Sequence, residues 1–218
     1  VLLPACASTL LLGTTNVITQ EIAVCPFLWI LPLAIYLITF IVCFDRSLWY
    51  VRSLITLIWL IAMGLVMASL YTTYFTDTSA KLVPQILIFS LALYTSCMLC
   101  HGELAALKPD PRRLTSYYLA ISVGGALGGA FATLVAPLIF NWLWEVHIGY
   151  FLTGVLLLAV LVRERRPADD ARRTAPLFLQ SMAFLAVLLV VPAVCFKTLR
   201  QRTVRMERNF YGILRVKD

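Results

Sequence analysis

The chain has 218 residues, 61% of them hydrophobic and only 13% charged, and a formal net charge of +7. Its mean hydropathy is +0.88 and its pI about 9.3. A soluble domain carries about a quarter charged residues, so this composition excludes an ordinary water-soluble globule. The cations sit in loops that flank apolar runs, which suits anionic lipid headgroups and argues against nucleic-acid binding.

A helix rises ~1.5 Å per residue, so ~20 apolar residues match the ~30 Å hydrocarbon layer of a bilayer. Seven such runs follow one another, and they predict an all-α fold, a polytopic transmembrane helical bundle. The first, 3–22, is the most polar, with Thr14, Thr15, Asn16, Thr19, Gln20 and Glu21. Cys25-Pro26 then marks a tight turn. The second runs over 27–44 with Pro32 inside it, tolerated where neighbouring helices satisfy the freed carbonyl. The third covers 54–71 without a charge, and the fourth 82–100. A fifth, 115–140, is long enough that it must tilt or protrude. The sixth covers 146–162 and the seventh 177–196. Trp49, Tyr50, Trp142, Trp144 and Tyr150 fall near predicted span ends, where interfacial aromatics collect.

The tail differs. Residues 197–208 (KTLRQRTVRMER) read as a basic juxtamembrane linker, and 209–217 (NFYGILRVK) as a short strand with Gly212 as a bulge. A lone strand is not stable in water, so its partners are expected beyond Asp218. The predicted organisation is a transmembrane domain at 1–196, the linker, and at 209–218 the start of a truncated soluble domain. The first residue is Val1 rather than Met, and both ends read as cuts through a longer protein. No basic region precedes the first apolar run, so no signal peptide is expected.

Loops 45–53, 101–114 and 163–175 share one face and carry ten cations, among them Arg46, Arg52, Lys108, Arg112, Arg113, Arg165 and Arg166. With seven helices the tail falls on the other face, where Lys81 and seven tail cations make eight. Ten against eight does not orient the protein by the positive-inside rule.

Several motifs carry chemistry. Gly124, Gly125, Gly128 and Gly129 form two overlapping GxxxG pairs, which let another helix approach backbone to backbone. Lying mid-span, they do not suit a phosphate-cradling loop, which needs a strand before it. Cys97-Met98-Leu99-Cys100-His101 matches the c-type haem string CxxCH, but covalent haem needs an exposed segment and these cysteines end an apolar helix. Single cysteines at 6, 25, 43 and 195 read as small buried hydrophobes. His101 and Glu103 follow the predicted span end and precede Arg112 and Arg113. They read either as an interfacial anchor or as a contact loop in which Glu103 pairs with Arg112 or Arg113. Two ligands do not make a metal site, and none is expected. Asn16 and Gln20 lie four apart on one helical face with Glu21 beside them, the best candidates for an intramembrane polar site. The bland alternative puts Glu21 at the interface. Glu145, His147, Asp77, Asp169 and Asp170 read as solvated.

A family resemblance rests on these strings. Cys100-His101-Gly102-Glu103-Leu104-Ala105, Pro109-x-Pro111-Arg112-x-Leu114-Thr115, Tyr118-Leu119 and Ser122-x-Gly124-Gly125-Ala126-Leu127-Gly128-Gly129 resemble the membrane half of bacterial fused major-facilitator-like/spermidine-synthase-like proteins. So do Thr19-Gln20-Glu21-Ile22-Ala23 and Pro26-Phe27-Leu28-Trp29-Ile30-Leu31-Pro32-Leu33, although many relatives have Asp where Glu21 stands. Glu207-Arg208-Asn209-Phe210-Tyr211-Gly212 is similar to the opening of their aminopropyltransferase-like domain. The stretch 163–200 looks shorter than in such proteins. The resemblance implies a bacterial cytoplasmic (inner) membrane and a downstream synthase-like domain that takes putrescine and decarboxylated S-adenosylmethionine. It places no catalytic residue or cofactor site in 1–218. The membrane half is then an anchor or a polyamine-handling module. A different class, a transporter moving a small cationic substrate, rests on the polar face of helix one and the glycine-rich helix five.

Overall fold

The computed structural model describes residues 1–22, 25, 27–45, 50–75, 82–164, 171–201, 203, 205–209 and 212–216. Ala23, Pro26, Arg46, Trp49, Asp77, Lys81, Arg165, Arg166, Asp169, Asp170, Phe210, Tyr211 and Asp218, named above, lie outside the described residues.

Among the described residues, seven helical rods form the bundle. The first is α1 (Leu2–Asn16), prolonged by a wider π-helical turn, Val17–Ile22. Next come α2 (Ile30–Asp45), α3 (Arg52–Phe75) and α4 (Leu82–Ala106). The fifth rod joins a short turn at Pro111–Arg113, α5 (Leu114–Ala130), a π-helical turn Phe131–Val135 and α6 (Ala136–Ile139). The last two are α7 (Trp144–Glu164) and α8 (Ala171–Gln201). Six rods are long and apolar enough to cross a membrane, and α2 is a shorter apolar helix. Many large apolar side chains stay exposed on their outer faces, among them Ile41, Leu57, Ile61, Leu87, Leu119 and Leu138. Such faces are a liability in water and a match to lipid tails. The chain is an integral membrane domain in contact with lipid.

Local chemistry explains the irregularities. Pro32 sits in the first turn of α2, where no intrahelical donor is missing, rather than mid-helix with a carbonyl to satisfy. Pro137 has no N–H for the carbonyl of Thr133, and the fifth rod widens into its π turn over those residues. Thr133 Oγ1 donates to the Gly129 carbonyl at 2.8 Å. Helix α4 continues six residues past the predicted end at 100, so Cys97 and Cys100 are buried mid-helix in a closed stretch.

Helix α1 holds the centre, packed against α5, α4, α7 and α2, while α4 packs on α2 and α3. The contact of α1 with α5 is unusually close. A Cβ on Gly128 would collide with the Ala5 carbonyl oxygen, and one on Gly124 with that of Val1. Gly125 and Gly129 are looser, with Ser8 Oγ at 3.4 Å and Leu12 at 3.7 Å. The close approach also lets Thr9 Oγ1 donate to the Gly128 carbonyl at 3.3 Å.

The tail differs from the reading of a lone strand. Two antiparallel strands, β1 (Arg205–Asn209) and β2 (Gly212–Val216), pair with Asn209 opposite Gly212, so β2 finds its partner in the preceding segment. Gly212 opens β2 opposite Asn209 instead of forming a bulge.

Alanine at Gly128 must push α1 off α5, whereas alanine at Gly125 gains helix propensity at no steric cost. Gly128→Ala should lose about 1–3 kcal/mol and Gly125→Ala should be neutral or slightly stabilising. Thermal unfolding of the two variants in detergent micelles measures the difference.

Candidate functional site

Polar side chains gather at the two ends of the bundle. At one end α4 presents Glu103, and its carboxylate accepts from Arg52 Nε at 2.5 Å, Arg52 Nη2 at 2.8 Å and Tyr50 Oη at 2.7 Å. Gly102 makes this arrangement fit, since a Cβ there would lie 2.5 Å from the Tyr50 ring. Burial first, and then the bond to Glu103, push the Tyr50 hydroxyl well above its ordinary range, so it stays a donor. The expected pairing of Glu103 with Arg112 or Arg113 is not formed. Both arginines are exposed beyond the helix end, and Arg52 at the start of α3 takes the carboxylate.

His101 is buried in the same helix. Its Nδ1 lies 3.1 Å from Thr39 Oγ1, and the edges of Tyr36 and Phe40 flank the ring at 4.9 and 5.2 Å between centroids. The Thr39 hydroxyl hydrogen goes to the Tyr36 carbonyl at 2.9 Å, so the threonine oxygen accepts from His101 Nδ1–H. His101 Nε2 has no partner. Because α4 runs on to Ala106, His101 and Glu103 face into the bundle and not into a loop.

The opposite end carries the stronger feature. Glu145, expected to be solvated, is fully buried, and Arg208 from β1 reaches it bidentately, Nη2 to Oε1 at 2.6 Å and Nη1 to Oε2 at 2.9 Å. The same Nη1 donates to the Trp142 carbonyl at 2.8 Å. The side chains are 3% and 0% exposed. Glu145 lies in the first turn of α7, where the helix dipole favours a carboxylate, and the tail covers it. His147, also expected to be solvated, is 2% exposed. Its Nδ1 lies 3.1 Å from the Leu143 carbonyl, and its ring stacks on Trp142 at 4.9 Å between centroids.

Beside this ion pair lies a small cleft of about 80 Å³, room for several waters or one compact polar group. Glu21 from the π turn of α1, Ser69 and Thr73 from α3, Gln85 from α4, and Trp142 and His147 line it. Among the earlier candidates, the structure brings Glu21 to this cleft and leaves it exposed there. Asn16 and Gln20 do not line it, and instead bond to each other, Gln20 Nε2 to Asn16 Oδ1 at 3.4 Å. His101 and Glu103 are at the far end of the bundle. Gly124 and Gly128 hold α1 against α5, and no catalytic constellation forms around the four glycines. Among the described residues no cluster of His, Cys, Asp and Glu is built to hold a metal ion.

Arg208, Arg52 and Tyr50 are the functional side chains that the sequence reading missed. Their partners lie 63, 51 and 53 residues away, beyond the reach of any local period. Comparison with protein-family models, curated proteins and solved structures finds no match to this chain.

Removing one partner of a buried ion pair strands the other charge, at a cost of about 3–5 kcal/mol, while replacing both with apolar groups is close to neutral. Arg208→Met should therefore release the hairpin, seen as faster proteolysis between residues 201 and 205 and a lower unfolding temperature in detergent. Arg208→Met combined with Glu145→Met should restore most of both.

Proposed function

We propose that this chain is the anchoring membrane domain of a bacterial protein related to the fused major-facilitator-like/spermidine-synthase-like proteins, seated in the cytoplasmic membrane and holding a synthase-like domain close against its surface. One observation carries the reading: the hairpin that follows the last helix is fastened to the bundle by the buried Glu145–Arg208 pair. A flexible tether needs no such contact. Ile213 of β2 also packs against the core cluster, so both strands are seated on the membrane domain. A hairpin of two five-residue strands is marginal alone in water, and a larger sheet continuing from it fits both its edges and the resemblance of Glu207–Gly212 to the opening of an aminopropyltransferase-like domain.

In this reading the membrane domain positions a catalyst and contributes no catalytic group. Decarboxylated S-adenosylmethionine and putrescine are handled beyond Asp218.

The coding sequence past Asp218 tests this directly. It should continue with a strand, a glycine-rich turn and an acidic residue about twenty positions on, the fingerprint of a nucleotide-type α/β domain. The full-length protein, purified from membranes, should transfer an aminopropyl group from decarboxylated S-adenosylmethionine to putrescine, and Arg208→Met should leave that chemistry in place while loosening the domain. A downstream polar tail without strands, or full-length protein inert toward both substrates, would overturn the reading.

A further inference from the structure

We propose that the cleft where α2 and α4 end holds the phosphate of an anionic phospholipid, with the Lys108 ammonium as its partner. The inference goes beyond the anchoring role and stands whether or not a synthase-like domain follows.

The cleft has a volume of about 190 Å³ and is lined by Phe44 at the end of α2, by Tyr50, and by Gly102, Ala105, Ala106 and Lys108 at the end of α4 and just beyond it. That is room for a compact polar group and not only for single waters. The other polar groups of its wall are engaged. Tyr50 Oη donates to Glu103 at 2.7 Å, and the Cys43 thiol meets the Met98 sulfur at 3.7 Å. The last carbonyls of α4, which would otherwise draw a lysine, already have donors. Leu107 N–H serves Glu103 and Leu104, Lys108 N–H serves Ala105, and the Tyr117 hydroxyl reaches Leu104. Lys108 is exposed, and its ammonium makes no ion pair or hydrogen bond with the described residues.

Lys108 is the one charged group among the described residues that line the cleft. Glu103 is held by Arg52, and neither Asp45 nor Asp110 lines the cleft. Arg112 and Arg113, in the turn that follows, are exposed too and raise the positive potential at this end. An anion answers that charge, and the surroundings select a lipid over a free ion. The cleft sits at the end of the span Leu82–Ala106, the level of the headgroups, and basic pockets between transmembrane helices suit lipid phosphates. Leu37, Ile41 and Phe44 are spaced four and three apart and so run along one face of α2. Leu37 and Ile41 are 49% and 63% exposed, an open apolar track from the cleft toward the middle of the membrane. A phosphate seated at Lys108 can lay its acyl chain along that track. Inorganic phosphate has nothing to place there, and phosphatidylcholine brings its own compensating cation.

The chain has four lysines, so reductive 13C-methylation, which keeps their charge, yields few NMR signals, and Lys108→Gln identifies the one that matters. In nonionic detergent micelles, short-chain phosphatidylglycerol should shift the Lys108 signal saturably and leave that of Lys197, at the opposite end of the bundle, unmoved. Phosphatidylcholine of the same chain length and inorganic phosphate should give no saturable shift. Ala106→Phe, at an exposed helix end, narrows the cleft without touching a charge and should raise the midpoint about tenfold. Arg113→Gln removes a charge outside the cleft and should change the midpoint by no more than about twofold. An unmoved Lys108 signal, an equal response to phosphatidylcholine, saturation by inorganic phosphate alone, or a midpoint that Ala106→Phe leaves unchanged would each overturn the site.

Discussion

In hydrocarbon an unpaired peptide group costs several kcal/mol, and that constraint makes each apolar run a helix before any packing is considered. Everything else follows from how seven such rods find contacts when lipid tails are as apolar as their own side chains. Burial of apolar area then discriminates poorly, and close backbone approach and hydrogen bonding take over. The seam of α1 and α5 shows the consequence. At Gly124 and Gly128 the two backbones meet with no space for a Cβ, and Thr9 spans the gap to a backbone carbonyl. Elsewhere single polar bonds tie rods together in the same manner, as Trp59 Nε1 does in donating to Ser96 Oγ at 2.9 Å.

Charges obey the same solvent logic. A buried carboxylate is tolerated where its partner arrives with matching geometry, and among the described residues both buried acids, Glu103 and Glu145, meet arginine in a forked contact. Glu103 takes Arg52, which remains 28% exposed, so water still screens part of that pair and its net contribution is modest. Glu145 and Arg208 are sealed on both sides. Their desolvation makes the pair a weak source of stability overall but a strong penalty for any arrangement that separates them. Such a pair specifies where the hairpin sits more than how tightly the bundle folds.

The helices were legible in the sequence because lipid demands a long, continuous apolar signal, and the rods at 2–22, 52–75 and 111–139 lie within a few residues of their predicted bounds. Their ends were less so. Cys100-His101-Gly102-Glu103 looks like the exit of a span, yet the helix carries those polar groups into the interior because Thr39 and Arg52 wait for them. The strand Arg205–Asn209 was hidden by its own charges, since Arg205, Glu207 and Arg208 read as a solvated linker. Glu145 and His147 misled for a related reason. Sequence position near a span end suggests water, and only the folded chain shows that the tail returns to cover them. Glu21 was recognisable as a costly group near a membrane face, whereas Gln85 and Thr73, its companions in the cleft, carry no sequence signal.

The break at residues 140–143 links the tail to the cleft. Pro137 ends the regular ladder, and Phe140 turns extended at φ −110° and ψ 132°. Trp142 is thereby left in the connection before α7, where its carbonyl accepts from Trp144 N–H at 2.8 Å. Arg208 also donates to that carbonyl, and the indole ring of Trp142 stacks on His147 in the wall of the cleft. A helix running unbroken through this point would have engaged the carbonyl in its own ladder and carried the ring elsewhere. The irregular segment is thus what allows one tryptophan to serve both features. A carbonyl outside the regular helical ladder still needs partners, and here Trp144 N–H and an arginine delivered from the hairpin both supply them.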